Sequence, residues 1–452
     1  MMKVRIFILS LSIAALAMFG AATAQDDGDW ATEWSDMVNV HLLADLDSSG
    51  PPAWDPEEHP DVFITTEGMG YSGLMGSPNS PGLAIIDANT YEPVASQSYE
   101  LEGADEYFEP HGLGVSSDGR WIYLPTGTSP GFGAVGTGRL LIIDAYTLKI
   151  DKILSTPTNP HHAKSFTHAD GRELVLAYTF REGGFYILDP NDDNRMVGSV
   201  PNRELQGNGY LAFTTPDGEY LLISTRPPSG VDAHGFVSVI DTETWELVRN
   251  IEVLDSDPIW IAITADGNEA LVTGGHDSNL TRLSLEGDVS DWHVDGAANA
   301  AALGPYGVHY NWDEDRAFVV SKGEATHNRG ITLGEVNPVI MQPPPLHSWA
   351  PGPVATHHTA CIRGDHGTVH PDIDRDELWI TCNGSFEIVV FDMFAKEVKE
   401  RIPMPNGGST HSGAFVHYEA DPMASTEGTV LSDQNGMHGP ALQTKREILG
   451  LE

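Results

Sequence analysis

The sequence predicts an all-β protein, a seven-bladed β-propeller closed by a C-terminal inner strand. Three observations carry this. Helical periodicity is almost absent. A unit of apolar strand, Asp-Gly-like turn, second apolar strand and a strand ending in Ile-Asp or a relative recurs at a spacing of roughly 50 residues, the period of a four-stranded blade. Finally, one copy of the unit is split between the two ends of the chain, as ring closure requires.

Taken in order, Lys3 and Arg5 precede an apolar run from Ile6 to Phe19, and Ala22-Thr23-Ala24 offers a small-x-small cleavage site. Residues 1–24 therefore read as a secretory signal peptide, too short in its apolar part to anchor in a bilayer. The mature chain is expected in a bacterial periplasm. Residues 25–60 and 420–452 are polar and rich in Pro and Asp, and read as N-terminal and C-terminal arms flanking a propeller over 61–419. The copies begin at HGLGVSSDGRWIYLP from His111, near His161, at GYLAFTTPDGEYLLIS from Gly209, at IWIAITADGNEALVTG from Ile259, near Tyr306 and near His366. The split copy, Val62 to Ser96, lacks an innermost strand, and HSGAFVHY from His411 supplies it. Packing blades side by side around an axis buries faces that no single blade can bury, and closure leaves no free sheet edge. Lys322 to Pro353 reads as a long loop.

Composition excludes several functions. The chain has 65 acidic and 24 basic residues and a formal net charge of −41, which loss of Lys3 and Arg5 with the leader deepens by two. Such a surface repels nucleic acid and anionic lipid, so neither is an expected partner. Adaptation to a salty habitat explains the charge; steering of a basic electron carrier is the functional alternative. Cys361 and Cys382 exclude a cysteine-rich scaffold but could form one disulfide in an oxidising compartment. C-x-x-C-H is absent, which argues against covalent c-type haem.

The histidines follow the blade register. His111, His161 and His162 precede the Asp-Gly turns of their blades, His309 is placed at the opening of an inner strand, His357 and His358 lie just ahead of the His366 segment, and His411 starts the closing strand. His366 and His370 fall in the same neighbourhood. An inner strand begins at one mouth of the channel, so these imidazoles should converge. One inner-strand histidine is usually structural. Several packed together would leave ring nitrogens unsatisfied and repel on protonation, and a metal cluster removes both problems. The candidate metal ligands are His111, His161, His162, His309, His357, His358, His370 and His411. An imidazole donor set suits copper or zinc, with copper the tighter binder.

These segments resemble the propeller of nitrous oxide reductase and of the related thiocyanate dehydrogenases, a nitrous oxide reductase-like or YVTN-type propeller. GPYGVHYNWDEDRAFVV is similar to that family's Gly-Pro-Leu-His segment with His309 as ligand. ATHHTACIRGDHGTVHPDIDRDELWITCNG resembles the next ligand blade through His357 or His358, and THSGAFVHY the final one at His411. Two features depart from nitrous oxide reductase: Ile259 or Trp260 stands where it has a Pro-His ligand, and no cupredoxin segment follows. The resemblance therefore favours the thiocyanate dehydrogenase arrangement.

What it implies is a periplasmic oxidoreductase with a multinuclear copper centre. The substrate would be a small inorganic anion, with thiocyanate oxidised to cyanate and sulfur and a periplasmic cytochrome c as electron acceptor. Homodimerisation stays open. Lys164, Glu182, Asp232 and Glu324 are candidates by position for taking the proton or orienting ligands. His234, His276, His327, His417 and His438 read as solvated loop residues. The alternatives are a nitrous oxide reductase-like enzyme without the electron-entry domain, a non-catalytic copper-binding propeller, a plain partner-binding propeller, and a haem d1-type propeller.

Overall fold

The computed structural model describes residues 40–68, 81–101, 110–126, 138–157, 160–179, 184–228, 233–323, 331–341, 353–419 and 428–451. The leader and the candidates Glu182, Asp232, Glu324 and His327 lie outside these residues. The described chain forms seven antiparallel sheets arranged as a β-propeller. Blade 1 is built from Gly114–Val115, Trp121–Pro125, Gly138–Asp144 and Ile150–Thr156; blade 2 runs from Pro160 to Pro201, blade 3 from Asn208 to Glu252 and blade 4 from Pro258 to Asn299. Blade 5 runs from Pro305 to His358 and blade 6 from Gly364 to Pro403. Blade 7 takes its inner strand, Gly413–Tyr418, from the far end of the chain and its other three from Asp61–Glu67, Gly82–Asp87 and Pro93–Ser98, with Thr65 opposite Gly413 and Asp61 opposite His417. The ring is closed as the split copy predicts.

Apolar side chains from neighbouring blades fill the spaces between sheets. Phe63, Trp379 and Phe415 pack with centroids 4.7–5.1 Å apart between blades 6 and 7, all essentially without solvent contact. Cys361 and Cys382 form the disulfide that the sequence allows.

Neither flanking segment is a free arm where it is described. His41–Asp45 adds a fifth, outermost strand to blade 1, and Trp54 is buried with its indole N–H donating to the Ala145 carbonyl at 2.9 Å. At the other end, Gly428–Asp433 pairs with the inner strand of blade 7 on its axial side and turns through a hairpin to Gly436–Met437. Helix α1, Gly439–Leu449, follows; Lys445 reaches Glu314 at 2.9 Å and Arg446 the Ala265 carbonyl at 2.9 Å. The tail thus crosses the axis from blade 7 to the turns of blades 4 and 5. Its polar composition masks this because hydrogen bonds and ion pairs do much of the docking, beside a few scattered apolar contacts such as Val430 and Met437. No helix among the described residues is long and apolar enough to cross a membrane.

Candidate metal centre

The same irregularity recurs where the inner strands begin. In blade 3, Gly209 faces Thr225 and Ala212 faces Ile223, so Tyr210 and Leu211 share one opposing residue, Ser224. Blade 4 repeats this at Ile259-Trp260 opposite Thr273, blade 5 at Tyr306-Gly307 opposite Val320, and blade 6 at Asp365-His366 opposite Thr381. Blade 2 has a one-residue version at His161. A bulge of this kind unpairs a ladder residue and re-aims its side chain.

The freed backbone N–H groups still need acceptors. The hydroxyl opposite the bulge supplies them: Ser224 accepts from Leu211 N, Thr273 from Trp260 N and Thr381 from His366 N, at 3.0–3.1 Å. Thr273 then donates to the Tyr306 carbonyl of the next blade and Thr381 to the His411 carbonyl, both at 2.7 Å. In blade 7, Thr66 accepts from His411 N at 3.0 Å and donates to the His111 carbonyl of blade 1 at 3.4 Å. These hydroxyls fix the bulges of blades 3, 4, 6 and 7, and those of Thr66, Thr273 and Thr381 also tie the blade to its neighbour.

Among the described residues five imidazoles meet at this level: His111, His161, His162, His366 and His411, all buried. His111 stacks on His161 with centroids 4.3 Å apart and lies 4.0 Å from His411; His161 and His162 are 4.4 Å apart, and His162 and His366 4.9 Å. Candidate ligand atoms of His111, His161 and His162 lie within 4.8 Å of one another, and so do those of His111, Asp365 and His366. Close approach depends on Gly112, where an added Cβ would stand 1.9 Å from His162 Nδ1.

Asp365 is the acid of the cluster. It accepts from His411 Nδ1 at 2.6 Å and from Lys322 Nζ at 2.5 Å, and lies 3.8–4.0 Å from His366 and His111 Nε2. Burial pushes its carboxyl up, but the Lys322 ammonium and the His366 and His411 rings outweigh that and hold it well below the usual carboxylate range. His411 Nε2 accepts from Asn383 at 2.6 Å. Burial, followed by the neighbouring rings, keeps His111 and His162 well below the ordinary imidazole value, hence neutral. Burial does the same to His366, with Asp365 opposing it. Both ring nitrogens of His111 and of His366, and Nε2 of His162, are buried without a hydrogen-bond partner among the described residues.

Of the predicted ligands, His111, His161, His162 and His411 come together here. The other four do not. His309 is the fifth residue of Pro305–Tyr310; Tyr306 in the bulge stacks on His366 at 5.4 Å, while His309 lies deeper, 5.4 Å from Trp260, on a cavity of about 110 Å³ that Gln434 also lines. His357 and His358 occupy the outermost strand of blade 5, half-buried and exposed respectively, with His357 bound to Glu335 at 2.8 Å. An outer strand runs straight into the next inner strand, so nearness in sequence misplaced them. His370 follows the far end of its inner strand, at 4.8 Å from Phe415. His366, the neighbour of Asp365, takes the central place instead.

Lys164 is fully buried below the cluster, donating to the Ala212 carbonyl at 2.8 Å above the Phe213 ring; burial lowers its amine well below the ordinary lysine value. His234 and His276 are surface residues paired with Glu252 and Asp277, and His417 is half-exposed beside Asp61. His438, expected in a loop, is largely buried against Asp433 at 2.7 Å. Sequence reasoning passed over Asp365, Lys322, Asn383 and Gln434. The Asp365-His366 pair was findable, since it holds the place of His161-His162 in the repeat.

No known family profile and no curated protein matches this chain. Solved structures do. A periplasmic gluconolactonase from Pseudomonas aeruginosa aligns with a TM-score of 0.56 at 15% identity, over 78% of this chain and 99% of its own. The dihydro-haem d1 dehydrogenase NirN aligns at 0.52 and 16%, over 90% and 80%. Kuenenia stuttgartiensis hydrazine synthase aligns at 0.52 and 14%, over 80% and 98%. At these identities the likeness is one of fold, and the fold is a seven-bladed β-propeller.

Proposed function

We propose that this chain is a periplasmic copper-dependent oxidoreductase that acts on a small inorganic anion, with oxidation of thiocyanate to cyanate and sulfur as the first reaction to assay. The observation that carries the reading is the set of buried imidazole nitrogens on His111, His162 and His366 that no group among the described residues satisfies, gathered around the Asp365 carboxylate. Leaving such atoms unpaired costs free energy that a coordinated ion would recover. Among the described residues the donors are neutral imidazoles with a single carboxylate and no thiolate, a set that fits copper.

Bound copper would supply Lewis-acid activation of water and take up electrons. One thiocyanate and one water would become cyanate, sulfur and two protons, with two electrons passed to a c-type cytochrome. The chain's own residues would do the rest. Ionised Asp365 holds the proton on His411 Nδ1 and so orients that ring. Arg226 over Tyr210 at 3.6 Å and Lys322 over Tyr306 at 3.7 Å stand beside the cluster, each paired with a carboxylate, Asp257 and Asp365 respectively, so that the acids nearest the site are matched by cations. A second reading, a propeller that stores or delivers copper, is favoured by depth: His162, His366 and His411 have no solvent contact.

The deciding experiment is metal counting by mass spectrometry on exported, copper-reconstituted protein, with His111→Ala, His366→Ala and, as control, His357→Ala. The expected result is stoichiometric copper that the first two variants lose and the control keeps. Absence of stoichiometric copper, or its indifference to both cluster variants, overturns the proposal. Copper retained without thiocyanate turnover selects the storage reading, and a strong visible tetrapyrrole absorbance would select a haem d1-type propeller.

A further inference from the structure

We infer that Gln434, on the C-terminal hairpin, is a positioning residue that fixes the tautomer of His162 and thereby presents His162 Nε2 to the cluster. Gln434 and Asn435 form the two-residue tip between Gly428–Asp433 and Gly436–Met437, with Ser432 opposite Met437 and Asp433 opposite Gly436. Gly436 takes a φ of +106°, a conformation side chains rarely adopt. The tip is pinned by Asn435 Nδ2 donating to the Ser165 carbonyl at 3.1 Å, by the Asp433 carboxylate accepting from Asn435 N at 2.6 Å, and by His438 on the same carboxylate at 2.7 Å.

The chain of constraints starts at a backbone carbonyl. The Leu113 oxygen can only accept, and Gln434 lies 3.2 Å from it, so the amide nitrogen of Gln434 must face Leu113. Its oxygen then faces His162 Nδ1 at 2.6 Å. An amide oxygen also only accepts, so Nδ1 carries the proton and the lone pair resides on Nε2, the buried nitrogen without a partner among the described residues. This is the arrangement by which an outer hydrogen bond selects the ligating nitrogen of a histidine. The adjacent inner strand does not provide it there, since Gly112 lies against His162 Nδ1 with no side chain to offer. The tail is thereby part of the centre, although it enters from the opposite end of the channel.

The inference rests on the copper reading only for the use of Nε2, so two readouts separate the failures. Histidine-selective ¹⁵N NMR of the metal-free protein, with His162→Gln to assign the signal, reads the tautomer without metal. Nδ1-protonated His162 in the native chain, lost or mixed in Gln434→Met and kept in Gln434→Glu, is expected. A native His162 protonated on Nε2, or a tautomer unmoved in folded Gln434→Met, overturns the inference. Copper affinity by chelator competition is the second readout. Gln434→Met should weaken binding about 10–100-fold, the usual effect of losing such an outer partner, and Gln434→Glu should restore most of it. Equal weakening in both variants reduces Gln434 to a packing residue and overturns the inference. A native chain with the expected tautomer but no copper affinity fails the proposed function and leaves the assignment of Gln434 standing.

Discussion

Burial alone would neutralise Asp365, yet Lys322, His366 and His411 keep it ionised, so the carboxylate and its cationic partner depend on each other. Replacing Asp365 by Asn removes the buried carboxylate that faces the Lys322 ammonium, itself 18% exposed. The expected cost is about 3 kcal/mol, at the low end for breaking a buried pair because water still reaches Lys322; urea unfolding of the metal-free variant measures it. Protonation gives a second test. Burial, followed by Lys164, depresses His309 to about 3, and burial, followed by Arg375, depresses His370 to about 4, from an unfolded value of 6.5. Below pH 6.5 the unfolded chain takes up protons that these buried rings refuse, so stability present above that pH is lost as the pH falls toward 4 and then 3. Between pH 7 and 5 each ring should account for about 2 kcal/mol of that loss. His370→Gln should make the fall in urea midpoint over this range shallower, whatever its effect at pH 7; an unchanged slope would show that His370 titrates normally.

The strand-start bulge turns a run of apolar blades into a site, and it is partly written in the sequence. Apolar strands and Asp-Gly turns are local patterns, so the blades and the split closing copy could be read directly. Which residue of an inner strand faces the axis could not, because a two-against-one bulge shifts the register without changing composition. That is why Tyr306, rather than His309, reaches the cluster. In blades 3, 4, 6 and 7 its trace is the hydroxyl opposite, at Ser224, Thr273, Thr381 and Thr66, whereas blade 5 has Val320 in that place. The tail escaped for a different reason: Gln434 contributes one hydrogen bond to the site and no hydrophobic period. Thr381→Val tests the hydroxyl rule. It strips an acceptor from His366 N and a donor from the His411 carbonyl, both buried, and should cost about 1–3 kcal/mol. Thr381→Ser, which keeps the hydroxyl, should cost much less. Equal losses in the two variants would mean that the methyl group's packing, not the hydrogen bonds, holds the bulge.

At the scale of the whole molecule, ring closure and charge oppose each other. Blade 7 joins the two ends of the chain, so opening one blade exposes faces of its neighbours and the ring should resist partial unfolding. Against this, 65 carboxylates face 24 basic side chains, and several of the latter, Lys322, Arg226 and Lys445 among them, are already committed to ion pairs. The remaining negative charge repels itself across the surface and weakens the compact state. Salt should relieve this, since the screening length falls from about 10 Å at 0.1 M to about 3 Å at 1 M ionic strength. The melting temperature of the metal-free protein should therefore rise by several degrees between 0.1 and 1 M sodium chloride. Sucrose at matched osmolality separates screening from general exclusion: if it raises the melting temperature as much as the salt does, surface repulsion is not what limits stability. A flat response to chloride would mean that the carboxylates lie too far apart to repel, and the acidic surface would then need another explanation, such as attraction of a basic electron carrier.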